Sequence, residues 1–393
     1  MAAPTRLLVI SPWYEPGYKA GGVVRAVVNM VDALADSIDI SIVTSDRDLT
    51  DEQPYPGIEV DRWIERGGHR IFHLSPGPSS YLHMGRIVRG GDWQVVHISG
   101  IFDPLFTMWP LAAVRSIAAR RRPRVIVQAH GMLGEGALRI KQRKKDLFLG
   151  AARRVGLYRD VTWHATSPLE TAEVRSVFGE DVAVAEAANL PDPPAADPPG
   201  PRGKRPGQAR FCFFSRISPK KGLLEALRFF RRSVAGAGVV FDVLGPVDDA
   251  AYWQSCQPEI EALRRRGVGV THRGPIERDQ VHAALSGYHV MVLPTHNENF
   301  GYVILEALLA GCPVILSDQT PWLDLAEHGV GWTIPLRDET GFARAIDECI
   351  AMPGDEYDRR SAAAHRYAIA AATHPRGRDQ ILAMLAGARQ PAP

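Results

Sequence analysis

Cysteine is scarce in this chain of 393 residues: Cys212, Cys256, Cys312 and Cys349 lie far apart and form no CxxC. That spacing supports no disulfide framework, and the thiols read as reduced core residues of a cytoplasmic protein. An excess of one charge is also missing, since 46 Lys and Arg against 44 Asp and Glu leave a net +2. Such a balance excludes neither nucleic acid nor a membrane surface, because local patches matter more than the sum. Long apolar runs are absent: no segment approaches the roughly 20 residues that span a bilayer. The N-terminus, MAAPTRLLVISPWYEPG, has an apolar run of only four residues, too short for a signal-peptide core. Any membrane association is therefore expected to be peripheral. Neither GxGxxG nor Walker A occurs, so dinucleotide or ATP chemistry is unsupported.

What is present is a regular alternation. With 45% apolar and 23% charged residues, the composition is that of an ordinary soluble protein, and the length predicts two domains. Strand-length apolar runs at 6–11, 39–45, 94–99 and 124–128 alternate with predicted helices at 22–35, 104–121, 137–155 and 168–178. The Pro- and Gly-rich stretch 191–209 cannot sustain a helix or a central strand and predicts a linker. Beyond it, strands are predicted at 210–215, 238–245, 267–273, 289–294 and 313–317. The class is α/β, with two doubly wound parallel sheets. The expected domains are 1–190 and 210–375, and a final helical stretch within 376–393 is expected to close the second or cross back to the first.

The segment HVMVLPTHNENFGYVILEALLAGCPVILSD, residues 289–318, is the most informative. It reads as strand, polar loop, then a helix closed by Gly311, and ligands in parallel sheets bind at such strand ends. Glu298 and Glu306 stand eight residues apart, and Glu306 is the only charged residue of the nine in that helix. A carboxylate on an apolar helix is costly to bury without hydrogen-bonding partners, so Glu306 calls for hydroxyl ligands. Glu298 lies just ahead of the first free N–H groups, around Phe300 and Gly301, which suit phosphate or sugar oxygens.

In FFSRISPKKGLLEAL, Arg216 and Lys221 flank a proline turn at another strand end. A planar bidentate donor and a mobile point charge together suit a diphosphate whose charge grows as it departs. Gly21 and Gly22 precede an apolar helix and leave room for close backbone approach. His130, in VIVQAHGML, follows a strand and precedes a glycine.

Together SRISPKKGL, LPTHNENFGYVILE, AGCPVILSD, the glycine pair and QAHGML resemble the retaining glycosyltransferases of family 4. The resemblance covers both halves and is most specific over 289–318. It implies the GT-B architecture, two Rossmann-like domains facing across a cleft, and transfer from a nucleotide diphosphate sugar without a metal or other cofactor. On it, Arg216 and Lys221 are the diphosphate clamp and Glu306 holds the ribose. Glu298, with the backbone of Asn299, Phe300 and Gly301, holds the transferred sugar, while His130 contacts that sugar from the other domain. Gly21 and Gly22 border the diphosphate and acceptor, and Gly274 and Ile276 meet the base. Three departures stand out: Ser215 replaces a usual glycine, Asn299 replaces the glycine of EGFG, and the aromatic signature of the C-terminal helix is missing. Asp46 and Asp48 spell DxD, the metal signature of another glycosyltransferase architecture, and read here as an accidental match.

The expected role is therefore sugar transfer to a glycan or lipid-linked acceptor in bacterial surface polysaccharide or glycolipid assembly. With no placed nucleophile, the chemistry reads as same-face displacement, a covalent carboxylate intermediate being the other route. Residues 139–159 carry eight Lys or Arg and one Asp with apolar residues interleaved, a pattern that suits an anionic membrane surface; no nucleic-acid recognition motif accompanies it. The alternatives are a sugar-nucleotide epimerase and a catalytically silent binding subunit.

Overall fold

The computed structural model describes residues 5–139, 142–192, 198–374 and 376–387. The chain divides into two compact units, Met1–Leu190 with Pro375–Pro393, and Pro191–His374.

The first unit is built on β1 (Thr5–Ile10), β2 (Ile38–Ser45), β3 (Trp63–Arg66), β4 (His69–Leu74), β5 (Val95–Ser99), β6 (Arg124–Gln128), β7 (Val161–Ala165) and β8 (Val184–Glu186). They form one sheet in the order β3-β4-β2-β1-β5-β6-β7-β8, parallel except for β3 against β4. Helices α1 (Gly22–Leu34), α2 (Pro78–Gly90), α3 (Trp109–Arg115), α4 (Glu135–Arg139), α5 (Gln142–Arg154) and α6 (Pro168–Phe178) connect them. A sheet covered on both faces needs apolar residues on both. Leu8 and Ile10 accordingly join one core cluster, while Leu7 and Val9 join another with Val24, Val27 and Val31 of α1.

The second unit carries β9 (Ala209–Phe214), β10 (Val239–Leu244), β11 (Gly269–Gly274), β12 (Val290–Leu293), β13 (Val314–Ser317) and β14 (Gly331–Ile334), in the order β11-β10-β9-β12-β13-β14. Its helices are α7 (Leu223–Arg232), α8 (Ala250–Arg265), α9 (Val281–Ser286), α10 (Tyr302–Leu309), α11 (Glu339–Ala351) and α12 (Gly354–Thr373). The chain runs outward from β9 to β11, then returns to the other side of β9 as β12. The strand order therefore reverses between β9 and β12, and their C-terminal ends border the crevice where such sheets bind ligands. Helix α13 (Arg376–Ala386) belongs to the first unit, where Ile381, Met384 and Leu385 are buried with α1.

Several expectations are corrected. The single helix at 104–121 is a π-helical turn at Pro104–Met108, then α3, then a 3-10 turn at Ala119–Arg121. Ser116 Oγ donates to the Ala113 carbonyl at 2.7 Å, a back-bond that competes with the helix. Over 137–155 the structure holds α4 and α5, with residues 140 and 141 outside the described part. In the predicted linker 191–209, residues 193–197 lie outside the described part. Arg202 donates to the carbonyls of Tyr288 and Ala310, and buried Lys204 donates to those of Ile350 at 3.1 Å and Met352 at 2.9 Å. These two cations tie the described part of the segment to the rest of the second unit.

Candidate functional site

The loops that leave β9 and β12 meet at the switch point. Gly222 makes this possible: it is left-handed at φ 78° ahead of α7, and a Cβ there would lie 2.0 Å from the Pro294 carbonyl oxygen. No side chain is tolerated between the start of α7 and the end of β12. The contact is stitched further by His296 N–H and Thr295 Oγ1, which donate to the Lys220 carbonyl at 2.8 and 3.0 Å. His296 Nε2 also meets Glu225 Oε1 at 3.0 Å, and the Tyr252 hydroxyl donates to Glu225 Oε2 at 3.3 Å.

This stitching brings Lys221 Nζ to 2.5 Å from Glu298 Oε2, with both side chains largely buried, 13% and 15% exposed. Burial pushes the Glu298 carboxyl up; the Lys221 ammonium, by charge and hydrogen bond, with Lys220 and Arg216 behind it, more than reverses this and holds it below the usual carboxylate range. Glu298 is thus ionised. Arg216 joins the same field, with its Nη1 at 3.5 Å from Asp248 Oδ2. The two cations read as a diphosphate clamp therefore each face a carboxylate.

Glu298 is fixed at its backbone too, its N–H donating to the Gln319 carbonyl at 2.9 Å. Gly301 caps α10 at φ 80°, and a Cβ there would lie 3.1 Å from Glu298 Cγ, so the glutamate side chain folds over the glycine. Glu306 sits partly buried in α10 between buried Leu305 and Ala307. Gly274 ends β11 and accepts the Gly245 N–H at 2.7 Å, and Ile276 packs on the core. Glu298, Lys221, Arg216 and Gly301 are thus drawn together, whereas Gly274 and Ile276 lie two strands away from β9.

In the first unit, β6 is followed after Ala129 by His130 and Gly131, left-handed at φ 52° and 67°. The buried carboxylate of Glu170 holds this turn, accepting the Gly131 N–H at 2.7 Å, the Thr166 N–H at 2.8 Å and the Thr166 hydroxyl at 2.9 Å. Burial, then the neighbouring His164, depresses the His130 imidazole to about 3, so it is an uncharged hydrogen-bonding group. Gly21 turns at φ 62° into α1, after a loop whose Tyr18 and Lys19 N–H groups donate to Asp48 Oδ2 at 2.7 and 3.0 Å. The DxD carboxylates are occupied: Asp48 by these N–H groups and Asp46 by the Arg47 guanidinium at 2.8 Å. Among the described residues no three His, Cys, Asp or Glu side chains form a metal-ligating cluster.

Gly222, Glu170 and the Glu225–His296 pair were not singled out from the sequence, and Asp48 was read there only as half of an accidental DxD, not as the acceptor that holds the Tyr18–Lys19 loop. Ser167-x-x-Glu170 does carry a capping-box spacing, with Ser167 Oγ accepting the Glu170 N–H at 3.3 Å. The carboxylate serves Gly131 and Thr166, so the motif marks the helix start while its partners come from the tertiary fold.

Two tandem units with parallel α/β sheets, the second bearing a cation–carboxylate pair at its switch point, define the GT-B class. Residues 20–186 match the model described as Glycosyltransferase Family 4, and residues 199–367 match that described as Glycosyl transferases group 1. Among curated proteins the chain is 26% identical over 339 residues to a D-inositol 3-phosphate glycosyltransferase of Paenarthrobacter aurescens, covering 78% of this chain and 79% of that one. It is 28% identical over 232 residues to a glycogen synthase of Mycobacterium tuberculosis, covering 56% and 54%. Among solved structures, sucrose-phosphate synthase from Thermosynechococcus elongatus superposes with a TM-score of 0.68 at 17% identity over 98% of both chains. The Anabaena protein HepE, in complex with UDP and glucose, gives 0.66 at 16% over 98% of this chain and 100% of that one. The chain belongs to glycosyltransferase family 4, and it is a glycosyltransferase.

Proposed function

We propose that the chain is a retaining enzyme that moves a sugar from a nucleotide diphosphate sugar to a glycan or lipid-linked acceptor in bacterial surface polysaccharide or glycolipid assembly. The observation that carries this reading is the Lys221–Glu298 contact at the mouth of the second sheet, which joins a phosphate-type cation to a hydroxyl-type acceptor. Arriving diphosphate competes with Glu298 for Lys221 and with Asp248 for Arg216. The clamp then stabilises charge on the leaving phosphate, and that phosphate takes the acceptor proton in a same-face displacement. Glu298, kept ionised, and the backbone of Asn299, Phe300 and Gly301 hold the sugar hydroxyls. Glu306 holds the ribose, and Gly274 and Ile276 border the base. In the first unit, His130 serves as a neutral hydrogen-bonding group for the sugar, and Gly21 and Gly22 leave room for phosphate or acceptor. No metal or other cofactor is assigned a step.

Curated relatives and solved neighbours support the donor class, since structures of HepE hold UDP, glucose and UDP-glucose. A thermal-shift panel of UDP, GDP and ADP sugars is expected to raise the melting temperature for one base family, with turnover only when an acceptor is added. Turnover of donor without acceptor would favour an epimerase, and binding without turnover a silent subunit. A glycosyl adduct on Glu298 would replace same-face displacement with a covalent route. The cytoplasmic face of a membrane is the proposed location, through the basic helix α5. No helix among the described residues is long and apolar enough to cross a membrane.

A further inference from the structure

The segment that follows β13, Asp318 to Leu323, has no part in the reading above, yet it holds the Glu298 loop at two points. The Gln319 carbonyl accepts the Glu298 N–H at 2.9 Å. Three residues on, the Trp322 indole Nε1–H donates to the Phe300 carbonyl at 2.6 Å. Trp322 is itself anchored: it is 8% exposed, its N–H reaches Thr320 Oγ1 at 3.3 Å, and its carbonyl accepts the Thr333 hydroxyl at 2.8 Å. Its ring lies 6.1 Å from that of Tyr367, whose hydroxyl donates to Asp324 Oδ1 at 2.6 Å. The main chain at Trp322 is pinned by the two threonines, and a swing of the indole would break its bond to Phe300 and its contact with the Tyr367 ring.

A trans peptide sets its C=O and N–H on opposite sides of the bond. Holding the Phe300 carbonyl against the indole thus aims the Gly301 N–H the other way, away from Trp322. That N–H belongs to the N-cap residue of α10, at the donor-rich end of the helix, and the Glu298 side chain folds over the same glycine. One indole N–H, through one peptide plane, sets a donor beside an acceptor: the pairing a sugar hydroxyl needs, since it both accepts and donates.

We propose that Trp322 is a positioning residue for the sugar half of the donor, fixing the Phe300–Gly301 peptide so that the Gly301 N–H and the Glu298 carboxylate meet the transferred sugar together. The nucleoside diphosphate does not depend on it. The proposal rests on the assignment of Glu298 to Gly301 to the sugar.

Calorimetric titration of UDP and UDP-glucose, or of the GDP or ADP pair that the panel selects, tests it. Trp322→Phe keeps an aromatic ring and loses the N–H. Affinity for the nucleoside diphosphate is expected to stay within about two-fold, while affinity for the nucleotide sugar falls about five- to ten-fold, the range of one net hydrogen bond, and kcat falls with it. Equal weakening of both ligands, or of neither, overturns the role of Trp322 alone. Should the Phe variant melt early, benzothienylalanine in place of Trp322 keeps the bicyclic volume and removes only the N–H, and the same comparison decides. Wild-type protein that binds the diphosphate and sugar forms equally well would overturn the sugar assignment of Glu298 to Gly301 and this inference with it.

Discussion

At the scale of residues, the site is a mutual dependence between one acid and one base. Glu298 and Lys221 are both largely removed from water, and each leaves the other as an unpaired buried charge when deleted. Breaking such a pair from one side typically costs about 3–5 kcal/mol, whereas removing both charges costs much less. Lys221→Met is therefore expected to destabilise the second unit more than the double variant Lys221→Met with Glu298→Gln does, as read from urea unfolding. Both should lose transfer activity. A double variant no more stable than Lys221→Met would show that the pair is effectively solvated. The depressed carboxyl of Glu298 gives the sign of the pH effect: its contribution is present above the unfolded carboxylate value and is lost as pH falls through the lower folded one.

At the scale of elements, the switch point explains what was legible. Lys221 and Glu298 could be read because each follows a short apolar strand and precedes a helix, so pattern alone sets both at strand C-termini. Trp322 could not, because an indole donating to a backbone carbonyl leaves no periodic trace. Strands β4 and β7 escaped notice for a related reason: His69, Arg70, His73, Thr162 and His164 interrupt the apolar runs, while β3, β8 and β14 are only three or four residues long, too short to show a period. Within the basic stretch 139–159, helix α5 has one packed face and one exposed face. In α5, Leu149 is buried and Phe148 packs inward 5.4 Å from Phe102, and Lys145 Nζ donates to the Ala137 carbonyl at 2.6 Å. Leu147, 77% exposed, and Val155, 70% exposed, face outward, with Arg143, Lys144 and Arg154 on exposed positions. Near an anionic surface each cation is worth about 1 kcal/mol. Replacing Arg143, Lys144 and Arg154 by Ala is expected to abolish co-sedimentation with phosphatidylglycerol vesicles at low salt. Unchanged sedimentation would remove the membrane assignment.

At the scale of the whole molecule, the two units differ in how they carry imidazoles. In the first unit His164 Nε2 lies 2.8 Å from the Ala187 carbonyl, so that nitrogen carries the proton and Nδ1 is left to accept. His97 Nε2 is 3.2 Å from that Nδ1 and donates to it, which leaves His97 Nδ1 bare and buried without a partner. Both rings are neutral, and burial depresses His97 well below the usual value and His164 to about 4. Burial likewise lowers His69, His73 and His130 in this unit, while in the second unit His289 falls to about 4. A histidine with a depressed folded value binds more protons when unfolded, so its contribution is intact above pH about 6.5 and shrinks by about 1.4 kcal/mol per pH unit on acidification towards the folded value. Five such rings against one predict that the first unit fails first between pH 6.5 and 4.5. Hydrogen exchange corrected for its intrinsic pH dependence should show β5, β6 and β7 losing protection in that window while β9, β12 and β13 keep theirs. Simultaneous loss, or loss in the second unit first, would mean that the buried imidazoles do not govern acid stability. Below that window the ordering should blur, because the Glu298 carboxylate then begins to protonate and the second unit loses the charge that its Lys221 needs.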